Sequence, residues 1–109
     1  MAGRPAVDAV DAVASLEEPG RWLLRLYVAG QSPKSLRALM NLKRICETFP
    51  EVDCHIDVVD LLEHPHLAAR DQIIAIPTLV RLRPLPARKL VGDLSETERV
   101  IVGLDMPTR

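Results

Sequence analysis

Aromatic residues are nearly absent from this chain. Trp22, Tyr27 and Phe49 are the only three in 109 residues. That leaves no stacking platform for single-stranded nucleic acid, and the core must be built from Leu, Ile and Val. Cysteine is equally sparse: Cys46 and Cys54 form no CxxC pair and are too few for a disulfide framework. In a reducing compartment two such thiols read as small core hydrophobes rather than as a redox pair. Neither sign of charge dominates, because 14 Lys and Arg stand against 15 Asp and Glu for a formal net charge of −1. General nucleic-acid binding needs a strongly basic face, and the balance argues against it. No apolar run approaches the length of a membrane span, and the N-terminus lacks the basic region and apolar stretch of a secretory signal. The expected location is the cytoplasm.

What is present fits one small domain: 48% of the residues are hydrophobic, enough for a single core. Residues 1–20 read as a flexible leader of small apolar and acidic residues, punctuated by Pro5, Pro19 and Gly20, with a short helix predicted over Ala9 to Glu18. The domain proper spans 21–109. Trp22 to Ala29 is a β-prone apolar run that ends at Gly30. Ser32 followed by Pro33 suits an N-cap and first helical position, so a helix is predicted from Pro33 to Thr48. Its apolar stripe is Leu36, Leu39, Met40, Leu42, Ile45, Cys46 and Phe49, with Lys34, Arg37, Asn41, Arg44 and Thr48 opposite. Cys54 to Asp60 alternates as a second strand. His64, Pro65 and His66 open a short helix to about Ile74. Leu79 to Arg83 is a third strand, Pro84 and Pro86 form a turn, and Arg88 to Val91 pairs back as a hairpin. Ser95 and Glu98 match a capping box, and the helix that follows carries Val100, Ile101 and Leu104 as its apolar side. The resulting α/β order, β-α-β-α-β-β-α, is that of the thioredoxin-like fold. A cis-proline commonly precedes the third strand in that fold, and Pro77 stands there.

The chemistry of that fold is missing at its decisive position. The nucleophilic cysteine of a thioredoxin-like enzyme sits between the first strand and first helix, where the helix N-terminus lowers its pKa. Here the loop reads Ala29-Gly30-Gln31-Ser32-Pro33-Lys34-Ser35. Cys54, His55, Asp57, His64 and His66 are metal-ligand types, but Cys54 and His55 face opposite sides of a strand, which is poor spacing for zinc. Ser32 and Ser35 read as capping residues, with no His and carboxylate partners for hydrolysis. Gly30 is a lone glycine and not a phosphate loop. The expectation is therefore a non-enzymatic protein without cofactor that acts by binding other proteins. The basic helix stripe Lys34, Arg37 and Arg44, grouped with Arg81, Arg83, Arg88 and Lys89, suits docking on an acidic partner surface, and His55 joins these as a candidate partner-binding residue, as does Asp57 through the resemblance described next.

An ordered set of runs then resembles one family. Leu26-Tyr27-Val28-Ala29-Gly30 with Ser32-Pro33-Lys34-Ser35, Val59-Asp60-Leu61, His64-Pro65, Ile74-Ala75-Ile76-Pro77-Thr78-Leu79, Pro84-Leu85-Pro86-Ala87-Arg88-Lys89, Gly92-Asp93-Leu94-Ser95 and Val102-Gly103-Leu104-Asp105 together resemble KaiB, the small circadian-clock family, over about residues 22–106. The resemblance implies a protein that is not an enzyme. It implies binding to the N-terminal ATPase ring of the KaiC hexamer, with KaiA-like or SasA-like proteins as further partners. It also implies a metamorphic chain, with a self-associating resting fold peculiar to the family and a thioredoxin-like monomer that binds KaiC. The switching segment is then about Asp60 to Asp105, with Pro77, Pro84 and Pro86 as isomerising positions and Gly103 and Asp105 as tuning positions. There are departures: Asp57 stands where the cyanobacterial family carries a lysine that supports KaiC binding, Gln72 replaces another lysine, the acidic tail is missing, and the leader is unusual. These place the chain beside homologues outside the core clock, some of them tied to stress responses. The competing readings are a SasA-like sensor domain and a thioredoxin-like redox protein.

Overall fold

The computed structural model describes residues 20–107, so the predicted leader helix at Ala9 to Glu18 lies outside the described residues. Seven elements follow one another: β1 (Arg21–Val28), α1 (Pro33–Thr48), β2 (Asp53–Asp60), α2 (His66–Arg70), β3 (Thr78–Arg83), β4 (Arg88–Val91) and α3 (Thr97–Leu104). The four strands form one sheet in the order β2-β1-β3-β4. β1 runs parallel to β2, which is what a helical crossover permits, and the other two pairings are antiparallel. The β-α-β-α-β-β-α order expected from the sequence is the one observed.

Alternation along β1 divides the core in two. Trp22, Leu24, Leu26 and Val28 face α1 and α3, where they pack with Ala38, Leu42, Ile45, Leu79, Val100 and Leu104. Tyr27 faces the other way, into a smaller cluster with Leu61, Ile73 and Val80 that α2 covers through Leu67 and Ala68. The larger layer is thus helix on sheet. The opposite sheet face is covered at one end only.

Three local expectations are corrected. The buried side of α1 is Ser35, Ala38, Leu42 and Ile45. These follow a tight three-and-four spacing, so Leu36 and Met40 fall off the stripe and remain 47% and 62% exposed. α2 stops at Arg70, earlier than expected, because Gln72 takes a left-handed φ of 58°. The chain then turns so that the Ile73 N–H reaches the Ala68 carbonyl at 2.7 Å and Ile73 enters the smaller core. The Ser95 capping box does not form: Glu96 occupies the cap position without a side-chain cap, and the Ser95 N–H is taken by Asp93 Oδ1 at 3.1 Å. The Ile76–Pro77, Arg83–Pro84 and Leu85–Pro86 bonds are cis.

Candidate docking surface

The junction of β1 with α1 is held by its own polar groups. Ser32 caps α1, its Oγ accepting from the Ser35 N–H at 3.3 Å, and Pro33 fills the first helical position. Buried Ser35 returns the contact: its Oγ accepts from the Ala29 N–H at 3.2 Å and lies 2.9 Å from Ser32 Oγ. From the end of β2, Asp60 Oδ1 accepts from the Gly30 and Leu62 N–H groups, both at 2.9 Å. Each of these groups fixes the loop, and none is a thiol. Gly30 adopts φ +57°, and a Cβ there would lie 2.9 Å from Leu62 Cδ1, so glycine serves both the turn and the close approach of Leu62.

Around this loop lies an apolar surface. Val28, Gly30, Gln31, Leu36, Leu39 and Val58 line a shallow depression between α1 and the edge strand β2. Leu36, Met40, Val58 and Leu62 are all exposed at its margin or beside it. Sequence reasoning missed them because an apolar residue on an amphipathic helix, or on an alternating strand, reads as core by default. The signal that was available is that the apolar stripe drawn on α1 was too wide for one helix face.

The residues singled out as partner contacts do not form one surface. Lys34, Arg37 and Arg44 are exposed along α1. Arg37 Nε is 3.4 Å from Asp93 Oδ2, and Asn41 Nδ2 donates to the Asp93 carbonyl at 2.8 Å, so this side of α1 also grips the loop before α3. The hydroxyl and N–H of Ser95, and then Arg37, hold the Asp93 carboxyl below the usual carboxylate range. His55, Asp57 and Lys89 stand on the opposite, open sheet face by strand register. There His55 Nε2 is 3.3 Å from Asp53 Oδ2, Asp57 Oδ2 accepts from Arg25 Nε at 3.0 Å, and Lys89 Nζ donates to the Gln72 carbonyl at 3.0 Å. Arg88 is exposed on β4, across from Arg81.

Arg81 is the clear correction. It is only 2% exposed, so in this arrangement it offers almost no surface to a docking protein. Its position in β3 points it to the core face, where its guanidinium stands 5.1 Å from the Trp22 ring. It donates to the carbonyls of Leu104, the last residue of α3, and of Pro86. Burial, and then the neighbouring Arg88 charge, lower its pKa from the ordinary arginine value, and it stays a cation. The C-terminal end of α3 supplies the complementary dipole. Gly103 and Asp105 lie beside it: Asp105 ends α3 at φ 57°, and a Cβ on Gly103 would meet Leu90 Cδ2 at a separation too short for contact without movement of that side chain.

A KaiB domain family model matches residues 25–106. This chain belongs to the KaiB family. The Circadian clock oscillator protein KaiB of Synechococcus elongatus is 47% identical over 85 residues, 78% of this chain and 83% of that one. The KaiB of Nostoc punctiforme is 49% identical over 85 residues, 78% of this chain and 82% of that one. Among solved structures, the N-terminal domain of Synechococcus elongatus SasA is similar with a TM-score of 0.66 at 22% identity, covering 82% of this chain and 88% of that domain. Mitochondrial thioredoxin 3 of Saccharomyces cerevisiae gives 0.63 at 16% identity, covering 89% and 88%. At those identities the likeness shows the thioredoxin-like fold alone, while the KaiB relatives, named as clock proteins, place the chain in the circadian-clock family. No helix among the described residues is long and apolar enough to cross a membrane.

Proposed function

We propose that the chain is a regulator that docks on a KaiC-type ATPase ring in its thioredoxin-like arrangement. Leu36, Met40, Val58 and Leu62 form the apolar centre of the contact, and Lys34, Arg37 and Arg44 its basic rim. The observation that carries the reading is the exposed apolar cluster beside a β1–α1 loop that has no thiol. Stable interfaces place apolar residues at their centre and charges at their edge, and the rim charges steer an acidic partner. Asp57 lies on the other sheet face and is neutralised by Arg25, so the departure from the family lysine falls outside this centre.

The test is co-elution of the purified chain with a KaiC-type ATPase from the same genome, with prolonged incubation. A ring-sized complex is expected. Leu62→Asp weakens it at least about tenfold, the loss of one apolar anchor, while the circular dichroism stays unchanged; Asp57→Lys leaves affinity unchanged. Absence of any complex overturns the reading. We further read Asp60 to Asp105, with Pro77, Pro84, Pro86, Gly103 and Asp105, as the segment that rearranges in a self-associated resting form, a reading supported by family membership. Two sets of amide resonances confined to that segment, with their ratio changing with protein concentration, are the expected result; a single concentration-independent set contradicts it.

A further inference from the structure

The two faces of the sheet are not equally covered. α1 and α3 close one face through the larger core, whereas α2 closes the other only at the end near Tyr27 and Val80. The uncovered end carries Leu23 and Arg25 of β1, His55 and Asp57 of β2, and Leu82 of β3, placed there by alternation and register. Leu23 is half-buried and joins neither core cluster among the described residues. Leu82 is half-buried and packs on the smaller cluster alone. This end includes the parallel pair β1 and β2, and parallel strands are ordinarily covered on both faces. The chain enters the sheet at the same end. Gly20 turns into β1 with φ +82°, and its carbonyl accepts from the Asp53 N–H at 2.6 Å. Leu23 follows three residues later, about 10 Å along an extended strand.

We propose that residues 6–18 of this same chain dock on the uncovered end of the sheet as an amphipathic helix, with Val10, Val13 and Leu16 against Leu23 and Leu82. The sequence pattern supplies the two sides. Ala6, Ala9, Val10, Val13 and Leu16 recur at helical spacing on one side, and Asp8, Asp11 and Ser15 on the other. Several of the apolar residues are small, so a helix built from them can lie close to a flat sheet. Residues 6–16 in a helix span about 16 Å, and the uncovered stretch of β1 from Arg21 to Arg25 spans about 13 Å. Residues 17–19 are left to reverse the chain at Gly20. The charges agree with the placement. Arg4 stands against Asp8, Asp11, Glu17 and Glu18 in this segment. The whole chain holds 14 basic and 15 acidic residues, so the domain that follows is net basic and attracts it. The docked segment completes the second layer of the sheet and leaves the α1 side free. The inference therefore stands apart from the docking of an ATPase ring.

Amide hydrogen exchange of the full chain, read residue by residue by NMR, tests this. The amides of Ala9 to Leu16 should exchange at least about tenfold more slowly than in a free peptide of residues 1–19, at every protein concentration. Val10→Asp combined with Val13→Asp should abolish that protection. It should also shift the amide resonances of Leu23, Arg25 and Leu82 while those of Leu36 and Met40 stay in place. Ser15→Asp adds a charge on the other side of the same segment and should change the protection by less than about twofold. Free-peptide exchange rates in the full chain overturn the proposal, and so does equal loss of protection in Ser15→Asp. Protection that fades on dilution overturns it by making a second copy the occupant. Shifts confined to Leu36 and Met40 overturn it by moving the segment to the α1 side. None of these readings depends on an ATPase being bound.

Discussion

Arg81 shows how a single side chain is assigned by its neighbours. A charged residue among Arg81, Arg83, Arg88 and Lys89 reads from sequence as part of a basic patch. Its place in β3 instead puts it under α3, with two backbone carbonyls and the Trp22 ring as partners, while its Nε has no hydrogen-bond partner among the described residues. Arg81→Ala is expected to cost about 2–4 kcal/mol in urea unfolding, because it strands buried carbonyls and empties the site. Arg81→Met keeps the apolar stem and leaves no buried charge, so it should lose less. Tyr27 gives a second prediction. Its hydroxyl donates to Asp71 Oδ2 at 2.7 Å. Arg70, and then Tyr27, hold the Asp71 carboxyl below its ordinary value. A depressed carboxyl contributes stability above its unfolded pKa and loses it as pH falls through the folded pKa. Asp71→Asn should therefore be less stable than the parent at pH ~7, and the gap should close as pH falls below about 4. A constant gap in urea midpoints across that range contradicts the assignment.

At the scale of elements, the β1–α1 junction carries the fold's polar wiring. Ser35→Ala leaves the Ala29 N–H without its acceptor and removes a contact to the Ser32 cap. The expected cost is about 1–2 kcal/mol, read as a lower urea midpoint with an unchanged slope. This junction was legible in the sequence, since a capping serine before a proline has one local meaning. So were the strands, whose alternation Cys54-His55-Ile56-Asp57 separates the two sheet faces in the structure. What was not legible depended on tertiary placement. The end of α2 hinges on the left-handed Gln72, for which the sequence carries no glycine as a marker. The Ser95 box lost to Asp93, which is held by Arg37 and Asn41 from across the chain.

At the scale of the molecule, the sheet order, the two-sided core and the family likeness agree with one another. A thioredoxin-like frame without a thiol in its β1–α1 loop presents apolar side chains there instead. Leu36 and Met40 were read into the apolar stripe of α1, so the candidate site was less legible than the fold: surface and core use the same residue types, and only packing tells them apart. The most direct measurement is the affinity of the chain for a KaiC-type ATPase, by calorimetry, with Leu36→Asp and Val58→Asp compared against Lys89→Glu on the open sheet face. The account predicts at least about tenfold weaker binding for the first two, little change for the third, and unchanged circular dichroism for all. Full affinity in Leu36→Asp and Val58→Asp, or loss of binding in Lys89→Glu alone, would contradict it.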